Sequence, residues 1–362
     1  MNSNISQHVF SACLLFALCL CYSLIVSAQR INDLPPPPPP PQPPIVSPAQ
    51  NHPIEVDEDD VISVTTSEVL LPVTVRDARG QLVTSLKRED FRVYEDGREQ
   101  PLSDLALRQV PVDVVLMIDS SSSAASNLDD FRRAALEFAA RLAPEDRVSL
   151  IKFDDRIELL LDWTQNRLQL ERALRRITPG VFTRFNDALS LAAREQFSGA
   201  SRRHAIVVLT DGIDSGRGRA TLNTVFRSLL DAQATLYVIG NTEIERVKKK
   251  TELQTLLNAS VSVARFNELR IDDLRQALHV LDLSERNLEI LTDATGGRFY
   301  KPQSFTQLDQ VYREVADELR HQYALYYSPL DKNRNGKFRR VSVRTTRADL
   351  RAVTRAGYYT KQ

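Results

Sequence analysis

"VDVVLMIDSSSS", residues 112 to 123, sets an almost unbroken apolar run against a single carboxylate and then a row of hydroxyls. Such a run suits a strand covered on both faces, as in a parallel sheet. Three further runs share the texture: "RVSLIKF" from 147, "HAIVVLT" from 204 and "ATLYVIG" from 234. Between them lie amphipathic stretches. Leu128, Phe131, Ala135, Phe138, Ala139 and Leu142 recur at steps of three and four, which puts one apolar stripe on a helix. Strands alternating with helices predict an α/β fold with a doubly wound, mostly parallel sheet from about residue 111 to 320. A charged, helix-patterned stretch of about 241–283 reads as an insertion before a last short strand, "GRFYKP".

The flanks differ. "LLPVTVRDARGQLV", from 70, predicts two strands around a turn, and "FRVYEDGREQPL", from 91, sets Asp96-Gly97 between two more, a strong hairpin signal. Near the far end Val341 and Val343 alternate with Arg340, Ser342 and Arg344, the period of a half-solvated strand. Neither flank has enough strands to stand alone. The expectation is one small antiparallel β-sandwich built from residues 59–110 and 321–362, with the α/β domain inserted between its halves.

Ahead of these, residues 1–28 contain no Asp, Glu, Lys or Arg and are dominated by apolar residues, Cys and Ser. They read as a signal peptide cleaved after Val26-Ser27-Ala28, with an uncleaved membrane anchor as the alternative. The three cysteines all fall inside this segment, so the cleaved chain would have no disulfide. Residues 29–58 include "PPPPPPPQPP", which joins neither helix nor sheet and forms an extended spacer. Lys plus Arg and Asp plus Glu are 47 each, so no basic surface points to nucleic acid.

In an open α/β sheet, ligands gather at the carboxyl ends of the strands. Asp119, Ser121 and Ser123 follow the first strand, Thr183 precedes a helix in "GVFTRFNDAL", and Asp211 ends "AIVVLTD". Two carboxylates and three hydroxyls are hard oxygen ligands, suited to Mg²⁺, with Mn²⁺ and Ca²⁺ as competitors. No G-x-S-x-G elbow, no P-loop and no Ser-His-Asp order is present, so a binding protein is expected rather than an enzyme. His52, His204, His279 and His321 read as ordinary surface or core residues, Trp163 and the tyrosines around Tyr323 as core, and Arg246 to Lys250 as a solvated helix face.

At these positions the chain resembles the von Willebrand factor A domain and its metal-ion-dependent adhesion site. Asp119-x-Ser121-x-Ser123 matches its DxSxS motif, Thr183 its isolated threonine, Asp187 the aspartate four residues on, and Asp211 its final aspartate. Ser122 and Val181-Phe182 stand where the family has glycine. With the flanking "VTSLKREDFRVYEDGREQ", "LTDATGGRFY", "YALYYSP" and "GKFRRVSV", the chain is similar to von Willebrand factor A-related proteins of acidobacteria. The resemblance implies that Ser121, Ser123 and Thr183 ligate Mg²⁺ directly, and Asp119 and Asp211 directly or through water. It implies further that an Asp or Glu of a protein partner completes the coordination, in a secreted, periplasmic or cell-envelope bacterial protein. A structural scaffold using the metal for stability, and a divalent-metal hydrolase, are the alternatives.

Overall fold

The computed structural model describes residues 68–107, 110–121, 128–197, 202–210, 212–260, 265–333 and 335–360. The signal and spacer readings for 1–58 lie outside them, as do Ser123 and Asp211. The central sheet is built from β5 (Val112–Asp119), β6 (Arg147–Phe153), β7 (Ile157–Thr164), β8 (Arg203–Thr210), β9 (Ala234–Gly240) and β10 (Arg298–Tyr300), in the order β10-β9-β8-β5-β6-β7. All neighbours run parallel except β7, which folds back antiparallel on β6 at the edge.

The apolar run around which the fold is organised works as a two-sided strand. Val112, Val114, Leu116 and Ile118 of β5 pack with α1 (Leu128–Ala139), α2 (Arg167–Leu174) and, farther along, α7 (Leu308–His321). Val115 and Met117 point into the other layer, with α3 (Phe185–Glu195), α4 (Leu222–Asp231) and the C-terminal part of α6 (Glu268–Thr295). Alternate residues thus serve opposite cores, as the pleat of a strand requires. Of the stripe read from the sequence, Leu128, Phe131, Ala135 and Phe138 are buried on α1, with Ala134 beside them, while Ala139 and Leu142 at its end are half-buried.

Residues 241–283 enter α5 (Thr242–Leu257) and α6, which pack against each other, and α6 continues as one helix past 283 to a left-handed Gly296. Arg246 is not simply solvated. Its side chain is 12% exposed, bonds Glu243 of its own helix and ties the two helices together through Asp282 and Glu285.

The flanks form two four-stranded antiparallel sheets. One has the order β13-β1-β11-β4 and the other β14-β12-β2-β3, from β1 (Val69–Arg76), β2 (Phe91–Glu95), β3 (Arg98–Gln100), β4 (Leu102–Leu107), β11 (Tyr323–Tyr327), β12 (Phe338–Thr345), β13 (Arg351–Val353) and β14 (Gly357–Tyr359). Each sheet mixes strands from both ends of the chain, and Leu71, Val73, Tyr323 and Leu325 of the first share a core with Phe91, Val93, Val341 and Val343 of the second. The Asp96-Gly97 hairpin is present, both residues at positive φ as its tight turn demands. The strand expected after Gly80 is reduced to a single bridge, Leu82 to Arg76. There the Asp77 carboxylate accepts the N–H groups of Arg79 and Gln81, holding a turn where a longer ladder could have grown.

At the amino end of β5, Asp113 is buried between Arg147 and Arg202. Burial pushes its carboxyl up, but the two guanidinium groups outweigh that and hold it below the usual carboxylate range. A folded value below the unfolded one gives stability that is present above about pH 4 and is lost as pH falls through the folded value. The acid limb of denaturant stability between about pH 2 and 6 should therefore be shallower in Asp113→Asn than in wild type.

Candidate metal centre

The carboxyl edge of the central sheet gathers three of the residues singled out in the sequence. Asp119 closes β5 and is 1% exposed, Ser121 follows in the loop at 2%, and Thr183 stands two residues before α3 at 7%. One of the Asp119 carboxylate oxygens accepts the N–H of Ser121 at 2.9 Å, and the other accepts the hydroxyl of Thr210, the last residue of β8, at 2.7 Å. Parallel pairing of β5 with β8 brings Thr210 there. The N–H of Gly212 donates in turn to the Thr210 hydroxyl at 2.9 Å, so Gly212 is linked to Asp119 through one side chain.

The Thr183 loop is fastened from both sides. Ser215 donates its N–H at 2.9 Å and its hydroxyl at 2.5 Å to the Thr183 carbonyl, while the Thr183 N–H donates to the Ser215 hydroxyl at 3.1 Å. The Asp214 carboxylate accepts the N–H of Asn186 in the first turn of α3, where unpaired amides favour an anion. Asp187 accepts Arg184 and the N–H groups of Arg219 and Ala220. Burial raises its pKa, but these donors outweigh it and hold the carboxyl below the ordinary range.

Between the two loops stands Asp154, one residue beyond β6 and buried. Its carboxylate accepts the Ser120 hydroxyl at 2.7 Å, the Lys152 ammonium at 2.6 Å and the Arg156 N–H at 2.8 Å. Its carbonyl accepts the N–H of Arg184, and the Ser120 carbonyl accepts the N–H of Gly180. Burial pushes the carboxyl up, yet Lys152 and the other donors hold it below its usual range. A Cβ on Gly180 would sit inside van der Waals contact of that carboxyl, so only glycine lets the Thr183 loop approach Asp154.

Neither Asp154 nor Lys152 was among the residues read from the sequence. A signal for them exists: Lys152 interrupts an apolar run and Asp154 lies two residues on, the same-face spacing of a strand, so the buried ammonium finds its counter-charge locally.

The described donors are one buried carboxylate and two hydroxyls, with no sulfur or imidazole beside them. Among the described residues no group of three or more His, Cys, Asp or Glu is placed to hold a metal. A hard cation fits this set and a soft one does not. The hydrogen bonds from Ser121 and Thr210 orient Asp119 as outer-shell partners orient metal ligands.

Residues 114–213 match the model of the von Willebrand factor type A domain. An uncharacterized protein, sll0103, of Synechocystis is 31% identical over 109 residues, 29% of this chain. The match spans 26% of the length of that relative. Among solved structures, the von Willebrand factor domain of the type V pili tip protein Mfa5 from Porphyromonas gingivalis is 26% identical over 29% of this chain and 39% of its own, with a TM-score of 0.28. Proximal thread matrix protein 1 of the mussel byssus, with a zinc-occupied adhesion-site motif, is 15% identical over 63% of this chain and 50% of its own, with a TM-score of 0.44. By its family model the stretch from 114 to 213 is a von Willebrand factor type A domain.

Proposed function

We propose that the protein is an exported, divalent-metal-dependent binding module for another protein. The observation that carries this reading is the Asp119 carboxylate, buried at the sheet edge and oriented by Ser121 and Thr210 beside a hydroxyl loop. Asp119, Ser121 and Thr183, with Ser123 and Asp211, would hold Mg²⁺. When bound, the ion would offer a coordination position to an Asp or Glu of the partner. The chain's own residues do the rest. Thr210 holds the Asp119 carboxylate and Asp154 holds the Ser120 hydroxyl, so these residues need little further ordering to bind.

One carboxylate contact is weak in water, so affinity rests on the surrounding surface. Val181 and Phe182, 63% and 37% exposed, stand immediately before Thr183, and the Arg217 guanidinium lies 3.6 Å from the centre of the Phe182 ring. Aromatic and arginine side chains of this kind carry much of the energy of protein interfaces. Export is supported by the charge-free leader. Residues 1–28 should be absent from protein recovered outside the cytoplasm, which amino-terminal sequencing checks.

The test of the site is calorimetric titration of Mg²⁺, Mn²⁺ and Zn²⁺ into metal-stripped protein. Zinc is included because the mussel-byssus relative carries it in its motif. Wild type should bind one ion saturably and Asp119→Ala, still folded by circular dichroism, should not. Equal binding by the variant would sink the reading.

A further inference from the structure

At the opposite edge of the central sheet, where β8 begins, a cavity of about 80 Å³ opens between the α/β domain and the sandwich. Its lining includes Leu70, Arg202, Arg203, His204, Asp231 and Arg355. Two of the arginines are buried, Arg203 at 6% exposure and Arg355 at 4%. Neither forms a salt bridge with a described residue. Arg203 donates only to neutral oxygens, the carbonyls of Val110 and Leu319 and the Gln322 side chain. Arg355 donates to the Leu70 carbonyl at 2.9 Å, and its Nε is buried with no hydrogen-bond partner.

The third arginine adds to the excess. Arg202 bonds Asp113, but Asp113 also serves Arg147, so one carboxylate answers two guanidinium groups. At the rim Asp231 lies 3.7 Å from Arg227, which draws on its charge. Burial lowers the pKa of Arg203, against an opposing pull from the Asp146 carboxylate, and takes that of Arg355 down to about 10, the direction expected of guanidinium groups that neutral acceptors do not fully compensate. Leaving charge unpaired in the interior is expensive, and proteins rarely do so without a counter-ion.

We infer that this cavity is a binding site for a small oxyanion of the phosphate or sulfate type, held between Arg203 and Arg355 at the seam of the two domains. Its volume exceeds severalfold the ~15 Å³ that one ordered water needs, enough for a compact tetrahedral ion. Guanidinium groups offer such an ion paired N–H donors. Arg203 opens β8, Arg355 lies between β13 and β14, and Leu70 belongs to β1, so the anion would join the sheet to both layers of the sandwich. The Asp119 edge lies seven strand residues away, roughly 23 Å at the rise of a strand, so this site is independent of the metal.

The full chain in chloride buffer of fixed ionic strength is titrated with inorganic phosphate, and separately with sulfate, by calorimetry. One saturable event per chain is expected, accompanied by a thermal midpoint that rises to a plateau. Arg355→Met should weaken phosphate binding at least tenfold while leaving the Mg²⁺ titration as in wild type. A preference between the two anions would assign the ion. The inference is overturned if wild type shows no saturable binding of either anion and its midpoint climbs linearly with salt, the general effect of excluded anions. It is equally overturned if Arg355→Met binds phosphate as wild type does. Should that variant fail to fold, the wild-type titration still decides.

Discussion

Glu95→Ala should lower stability by about 3–5 kcal/mol, the cost of removing one partner from a buried ion pair. Glu95 is 4% exposed at the end of β2 and takes the Arg339 guanidinium at 2.8 Å with one oxygen. Its other oxygen accepts the hydroxyls of Tyr358 and Tyr327, at 2.8 and 2.7 Å. Arg339 and Tyr358 belong to the same sheet as Glu95, whereas Tyr327 comes from β11 of the facing sheet, so one carboxylate joins the two layers.

Burial and the neighbouring carboxylate push Tyr358 up to about 12, and they push Tyr327 up as well, so both phenols stay protonated donors at neutral pH. Alanine would leave Arg339 with the half-exposed Asp331 as its remaining carboxylate and both phenols without an acceptor. Glu95→Gln keeps an acceptor for the phenols and should lose less. The combined Glu95→Met, Arg339→Met chain should recover much of the loss, because an apolar pair of similar volume replaces the ions. Urea midpoints at an unchanged slope would check the order wild type, double variant, Gln, Ala. A midpoint for Glu95→Ala within error of wild type would refute the account.

The second large effect is expected at Asp154. Asp154→Ala strips Lys152, whose side chain is 6% exposed, of its buried partner and leaves Glu158 at 3.2 Å, nearly half exposed, as the remaining carboxylate. About 3 kcal/mol of stability should go. The functional loss should be larger in proportion. The Ser120 hydroxyl and the Arg156 amide lose the carboxylate, so the loop bearing Asp119 and Ser121 is held to the segment bearing Thr183 by backbone bonds alone, from Gly180 to Ser120 and from Arg184 to residue 154. Outer-shell partners of metal ligands are worth roughly 10- to 100-fold in affinity, and a fall of that size is expected in the Mg²⁺ titration. Gly180→Ala should reproduce the affinity loss with Asp154 intact, since its methyl group would occupy the place of the carboxyl. If either variant binds Mg²⁺ as tightly as wild type, Asp154 is a stability residue and nothing more.

Local pattern was legible where local physics decides. The two-sided burial of β5, the stripe of α1, the Asp96-Gly97 turn and the alternation around Val341 and Val343 all follow from period and turn chemistry, and the structure has them. Composition of both sheets from both flanks was legible too, because neither flank had strands enough to close a sheet. Asp119, Ser121 and Thr183 came from motif spacing, and the structure sets all three at the carboxyl edge. Asp154 was missed for a different reason. Its partners Ser120 and Gly180 lie 34 residues before and 26 after it, and no periodicity spans such distances. Arg355 and Arg203, 152 positions apart, are further still beyond any window.

In the sheet β13-β1-β11-β4, strands β4 and β11 are direct neighbours, and the last residue of β4, Leu107, faces the first of β11, Tyr323. The chain departs for more than two hundred residues and resumes one rung away, a gap of about 5 Å between Cα atoms. A two-residue turn could bridge that gap. The sandwich is therefore interrupted where β4 and β11 would form a simple hairpin, and the α/β domain is a cassette set into that bend. Its point of attachment is fixed to within one rung of the ladder, while the loops of Asp119 and Thr183 lie at the opposite edge of its sheet.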